Sequence, residues 1–413
     1  MDFDLVVAGA GIVGTSTALW AQKQGLRVAL VDPNSPGSGT VSGSACTIAT
    51  YACLPVNSPS VLSSLPSLML SPESPLSVDL LHALRNPRWM LSFLANCRKS
   101  RVEEIAQNLA GLLQLADAGL DPLVADAQAE DLFVQNDALY VWSTREGFEA
   151  AREGNELRRR LGVEMDELTP AQILALEPAI KMPLHRGLLF KGARHVVDPQ
   201  ALVLRMQQRF CTLGGSWQNQ RVSRLTAGPK AATVHLDTGA ELTARKFALA
   251  AGAHSSRISG AGAEKLPLGT ERGYHVLYQK HQNLLSRPVG WAEAGFYCTP
   301  MAQGLRVAGT VEIASLDAPL NHKRTNYLGR KAEEMLGPLG PADSTWLGYR
   351  PTLPDSLPVI GQSPEAESVI FAFGHQHIGL TLGGITGKLV AQLAQGKAPD
   401  CSLSAFSPLR FHR

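Results

Sequence analysis

The chain has 413 residues, 45% of them hydrophobic and 18% charged, with a formal net charge of +2. So even a balance excludes the electrostatic footprint of a nucleic-acid binder, and no run of about 18 apolar residues offers a membrane-spanning helix. Six cysteines, with neither C-x-x-C pairs nor zinc-like Cys/His spacing, speak against a metal centre and fit a reducing compartment.

The length suits two or three lobes with separate cores. The start, Met1-Asp2-Phe3-Asp4, has no basic leader region, so a cytoplasmic location is expected. Leu5 to Ala8 reads as a buried strand, Thr15 to Gln24 as a helix stopped by Gly25, and Arg27 to Val31 as a second buried strand. From Asn34 to Ser77 a Ser/Pro/Gly-rich stretch reads as irregular, and helical periodicity returns from Ser77 to Leu120. Leu132 to Trp142 reads as paired strands turning near Asn136-Asp137. Gly154 to Leu161 is expected to be helical, and so is Thr169 to Leu176, which opens on an N-cap threonine and a first-turn proline. Asp198-Pro199 opens a helix to about Leu213. Val222 to Leu225, Ala232 to Leu236 and Glu241 to Thr243 read as short antiparallel strands, and Phe247 to Ala251 as a separate apolar strand. Tyr274 to Gln279 and Leu305 to Val311 are further strands, and His322 to Met335 is a helix. Tyr349 to Leu393 reads as glycine-rich loops followed by a helix.

Gly9-x-Gly11-x-x-Gly14 lies between the first strand and the first helix, and Asp32 ends the second strand. Each part has a physical reason. Gly9 permits the tight turn, Gly11 lets backbone approach a pyrophosphate, and Gly14 lets helix and strand touch. The helix N-terminus offers free N–H groups to phosphate, and Asp32 can accept from ribose hydroxyls. The acid disfavours a 2′-phosphate, but the fingerprint alone fits FAD or NAD. Phe247 to Ser255, with Gly252, resembles the later strand-and-glycine motif of FAD domains. Gly374-His375-Gln376-His377-Ile378-Gly379-Leu380-Thr381 opens a helix whose N–H groups can face a flavin.

With Val197-Asp198-Pro199, Glu271 to His275, Gly309 to Glu312 and Arg350 to Gly361, these motifs make nearly the whole chain resemble the D-amino acid oxidase-like FAD-dependent family, most closely its D-amino acid dehydrogenase branch, including enzymes of D-proline and hydroxy-D-proline. The resemblance implies an α/β (α+β overall) fold: a Rossmann-type FAD-binding domain from residues 1–84, 195–262 and 345–413, and a discontinuous mixed-sheet substrate domain from 85–194 and 263–344. One stretch departs from the family pattern. Where Asn-Ala-Gly is usual, this chain has Ser44-Ala45-Cys46.

By the same resemblance, FAD contacts fall on Gly9, Gly11, Ile12, Val13, Gly14, Asp32, Ser44, Ala45, Val222, Gly252, His375, Gly379, Leu380 and Thr381, with no metal. The implied reaction moves the α-hydrogen of a D-amino or cyclic D-imino acid to flavin N5 and passes electrons to a quinone or other acceptor. Arg350 is the expected carboxylate clamp, since a guanidinium matches a carboxylate bidentately. Tyr274 and His275, adjacent on a strand and so facing opposite ways, compete for a place beside the substrate with plain packing roles, as does His377. Two alternatives stay open: a glycine- or sarcosine-type oxidase using dioxygen, and a flavin-binding subunit of a hetero-oligomer. Trp89 to Leu94 with Arg98, Lys99 and Arg101 reads as a core helix with a basic end or as a peripheral contact with the inner face of the membrane.

Overall fold

The apolar runs at 5–8 and 28–31 are continuous rather than alternating, as strands covered on both faces require. In the computed structural model, which describes residues 1–59 and 74–411, they form the centre of a sheet. Ser216–Gln218, Val28–Val31, Phe3–Ala8, Glu241–Leu249 and Val369–Phe373 lie side by side and parallel. The stretches 241–243 and 247–251, expected to be separate strands, are mostly one. Glu241–Leu249 runs unbroken because Phe3–Ala8 pairs along it from Ala244 to Leu249. Its first half pairs antiparallel with Ala232–Leu236 and its second half parallel with Val369–Phe373.

The helices Ile12–Lys23 and Gly379–Ala394 cover one face of this sheet. They touch through glycine: a Cβ on Gly387 would come within 2.6 Å of Ser16. Gly384 meets Leu120 at the same 2.6 Å. The helices Lys99–Leu113 and Ala116–Asp126, expected with the substrate domain, pack on this sheet's helices instead, where Ile105, Leu109, Leu120 and Leu123 share a core with Ile385 and Leu389.

The second large sheet runs Ser344–Thr352, Gly269–Tyr278, Gly304–Ile313, Phe296–Met301, Val289–Trp291, Ala138–Trp142, Arg186–Phe190 and Met165–Leu168. Leu76–Val78 adds a parallel strand against Gly304–Ile313. Leu132 to Trp142 does not form the expected hairpin. Ala138–Trp142 pairs with Arg186–Phe190, whereas Phe133–Gln135 pairs with Arg194–Val196 in a separate small sheet. Asp137, at φ +55°, turns the chain from one to the other, and its carboxylate holds the Gly192 N–H at 2.8 Å. Alternation marks the faces of a strand but not its partner. The 349–393 segment also departs from expectation: Ser344–Thr352, Val359–Gln362 and Val369–Phe373 are strands before the helix. Its prolines hide this in the sequence, yet Pro351 is tolerated because Ser344–Thr352 is an edge strand.

Candidate active site

A cavity of about 1000 Å³ lies between the two large sheets. At one end the strand Phe3–Ala8 delivers Gly9 in a conformation (φ +104°) that L side chains rarely adopt. The Ala10 N–H donates to Asp32 Oδ2 and the Asn34 N–H to Asp32 Oδ1, both at 2.8 Å. Each oxygen keeps a lone pair for a ribose hydroxyl. A Cβ on Gly11 would meet nothing within 4 Å, so its backbone borders open space, and Ile12 and Val13 line the same wall. Gly14 does not line it; a Cβ there would overlap the Gly9 carbonyl, which is the packing role expected of it. The helix Ile12–Lys23 has no side-chain cap, leaving its first N–H groups for an anion. Val222 and Gly252 line this end with Arg221, His254 and Arg257. An open glycine cradle, an uncapped helix and a doubly oriented acid fit a dinucleotide.

Farther along, Ser44, Ala45 and Cys46 line the wall. Cys46 sits at φ +63°, which glycine takes freely and which explains a glycine at this place in the family pattern. Arg306 secures the loop. Its Nη1 donates to the Ser42 and Ser44 carbonyls at 2.8 and 3.1 Å and to Cys46 Sγ at 3.1 Å. His375, Gly379 and Leu380 line the cavity opposite the second sheet. Thr381 does not; its Oγ1 accepts the Ala49 N–H at 2.9 Å and ties the helix to the strand after the loop. His375 contacts the Thr386 hydroxyl at 2.9 Å, and burial pushes its pKa down to about 4.

Arg350 reaches the cavity from Ser344–Thr352, and Nη1 donates to the Thr310 carbonyl at 3.0 Å. A side chain on Gly273 would run into the guanidinium, so the glycine makes its berth. Thr310, a β-branched residue at φ +57°, holds strained backbone beside it, at a cost of about 1–3 kcal/mol. His377 lines the same region and stays exposed there; desolvation by its surroundings, and then the Arg350 charge, lower its pKa.

Neither Tyr274 nor His275 lines the cavity. Tyr274 is 1% exposed, and its hydroxyl donates to the Glu312 carboxylate, which Arg272 also holds at 3.1 Å. His275 donates from Nδ1 to the Gly43 carbonyl at 3.1 Å and stacks on Trp346 at 5.2 Å. It supports the wall from behind.

Residues 4–393 match the model of the family described as FAD dependent oxidoreductase (DAO). The chain belongs to that family. It is an FAD-dependent oxidoreductase. It is 32% identical over 417 aligned residues to a D-amino-acid oxidase of Bradyrhizobium diazoefficiens, covering 98% of each chain. It is 27% identical to D-amino acid dehydrogenase 2 of Ralstonia nicotianae, over 98% of this chain and 100% of that one. Glycine oxidase from Geobacillus kaustophilus has the same fold, with a TM-score of 0.78 at 20% identity over 99% of this chain and 98% of that one.

Several residues of the site went unread in the sequence. Arg306 had a signal: it is the lone charge inside the apolar run 305–311. Tyr51, Tyr140, Tyr297 and Arg158 line the cavity itself, as Arg306 does not, but they come from four distant elements with no shared motif.

Proposed function

We propose that this chain dehydrogenates the α-carbon of a D-amino acid or cyclic D-imino acid. Arg350 carries the reading: a guanidinium held by one backbone carbonyl, with nitrogens left for a carboxylate, in the same cavity as the dinucleotide cradle. The names of the two curated relatives support it. Bound FAD supplies the oxidant, accepting the α-hydrogen as hydride and leaving an imino acid.

The protein's part is placement. Gly9, Gly11 and Asp32 hold the nucleotide, and the 44–46 loop and the start of the 379–394 helix flank the flavin. Arg350 fixes the substrate carboxylate and so aims the α-carbon. Burial keeps His375 neutral at physiological pH, so it shapes the pocket without competing with Arg350 for charge. A substrate that arrives with a neutral amine needs no further base.

Among the described residues no helix is long and apolar enough to cross a membrane. We infer peripheral contact instead, as a route to a quinone. Leu80, Leu81, Leu84 and Leu91 are 55–69% exposed in one short stretch beside Arg85 and Arg88. Trp89 belongs to the core side, stacked 5.3 Å from buried Phe93.

The test is anaerobic mixing of the FAD-loaded protein with a panel of D- and L-amino acids while the flavin absorbance is followed. Bleaching by D-amino or D-imino acids is expected; a flavin that no amino acid bleaches removes the reading. Peroxide formed in air would make the enzyme an oxidase, and reduction of a quinone or dye without peroxide a dehydrogenase.

A further inference from the structure

The arginines of the cavity exceed the anions so far assigned to them. Among the described residues Arg158, Arg221, Arg257 and Arg350 line it with one acidic side chain, Asp32, and Arg257 has a partner outside the lining in Asp317, at 2.6 Å. Arg221 and Arg257 line the Asp32 end, where their charges and that of Asp32 act on His254 in opposite directions. Arg350 takes one carboxylate. Arg158 remains.

Its surroundings form a built pocket. Arg158 comes from the helix Arg152–Arg160, where Arg152 pairs with Glu149 and Arg160 with Glu103. Arg158 makes no such pair among the described residues. Its Nη1 donates to Asn155 Oδ1 at 2.8 Å, its guanidinium lies 5.6 Å from the Phe190 ring, and its Nε is buried without a hydrogen-bond partner. Tyr51 stacks on Phe190 at 4.1 Å, and its hydroxyl meets that of Tyr297 at 3.1 Å. Tyr140 packs edge-on against Tyr297 at 5.1 Å. Both rings close over Gly290, where a Cβ would come within 2.7 Å of Tyr140 and 2.9 Å of Tyr297.

These contacts hold the rings in place. Burial pushes the Tyr51 and Tyr297 hydroxyls above their ordinary pKa, so both keep their protons. The Tyr51 hydroxyl also lies within reach of Thr47 and the Tyr297 hydroxyl within reach of Tyr140, so the phenols form one polar cluster. The pocket thus presents that cluster beside the Arg158 guanidinium and its positive charge. An apolar side chain would leave these groups unmatched, and a site of unmatched polar groups discriminates strongly against such a ligand.

We propose that Arg158, Tyr51 and Tyr297 bind a second carboxylate, carried on the side chain of the substrate, so that the preferred substrates are acidic amino acids. This rests on the amino-acid reading of the same cavity.

The test compares D-glutamate and D-aspartate with their neutral isosteres D-glutamine and D-asparagine, as kcat/KM for flavin reduction. The acidic member of each pair is expected to lead by tenfold or more. In Arg158→Met that preference is expected to fall at least tenfold, through KM, with partial recovery in Arg158→Lys. A mere packing role would change both members alike and leave the ratio intact. Equal rates on acid and amide, or a ratio unmoved by Arg158→Met, overturn the proposal. If no amino acid reduces the flavin, the amino-acid reading fails on its own. The pocket is then judged by glutarate against valerate as ligands that perturb the flavin spectrum. An Arg158-dependent preference for the dicarboxylate upholds the second anion site, and equal binding removes it.

Discussion

Glu271 and Arg350 stand directly opposite each other on the antiparallel strands Gly269–Tyr278 and Ser344–Thr352. Glu271 is 1% exposed, with Arg350 and the Thr352 hydroxyl as its polar neighbours. Burial raises its pKa to about 7, with Arg350 opposing the rise. The folded pKa lies above the unfolded one, near 4.5. The protonated carboxyl is therefore favoured by folding: its stability is fully present below about pH 4.5 and is lost as pH rises through about 7. Thermal melts of the wild type are expected to weaken between pH 5 and pH 8. Glu271→Gln should flatten that slope, by on the order of 3 kcal/mol at most. Equal slopes in the two proteins would show that Glu271 does not titrate in this range.

Arg350→Ala is expected to retain the flavin spectrum while kcat/KM for amino acids falls by roughly 100-fold or more, the usual cost of removing a charged partner from a buried carboxylate. Arg350→Lys should recover only part, because an ammonium cannot donate to Thr310 and to two carboxylate oxygens in one plane. An unaltered apparent substrate affinity in Arg350→Ala would exclude it as the clamp.

The strand–glycine–helix unit and Asp32 were legible because their chemistry is local: a turn, a cap and an acid lie within about thirty residues. Arg350 was singled out through its Arg-Pro motif, and the fold brings it to the cavity wall. Tyr274 misled, because a tyrosine inside a strand motif says nothing about which face meets the ligand; here it serves the Arg272–Glu312 ion pair. The Tyr51–Tyr297 contact joins residues 246 positions apart, and only the folded sheet brings them together. The continuity of Glu241–Leu249 was likewise hidden, since Arg245 and Lys246 interrupt its apolar pattern and the pairing that overrides them comes from Phe3–Ala8.

Asp32 both shapes the glycine turn and faces the nucleotide end. Asp32→Ala removes the acceptor of two backbone N–H groups as well as the proposed ribose partner. FAD affinity should drop by about 10- to 100-fold, each tenfold being 1.4 kcal/mol. Fluorescence titration of the apoprotein with FAD measures this, and equal affinities would remove Asp32 from the cofactor site.

The exposed leucines make the membrane reading testable. Burying one leucine is worth about 1.5–3 kcal/mol, so the double variant Leu81→Asp/Leu84→Asp should lose tenfold or more in partitioning to phosphatidylglycerol vesicles. Flavin reduction in solution should be unaffected, because neither residue lines the cavity. Wild-type protein that does not co-sediment with anionic vesicles would end this reading.

Arg306 links the two layers through one side chain. It is 6% exposed, and its Nη1 serves two carbonyls and the Cys46 sulfur. Arg306→Met keeps most of the packed stem but leaves the Ser42 and Ser44 carbonyls without this donor. Each buried group so orphaned costs about 1–3 kcal/mol. The 42–46 loop would then lose one of the contacts that hold Cys46 at positive φ, the others being the Val196 N–H on its carbonyl and the Ser44 hydroxyl on its N–H. The expected outcome is a lower melting temperature together with an altered flavin absorbance, because the loop lines the cavity proposed to hold the flavin. Arg306→Lys should recover little, since a single ammonium on a shorter reach cannot reproduce the planar geometry. A variant that melts lower with an unchanged flavin spectrum would confine Arg306 to stability and detach it from the cofactor loop.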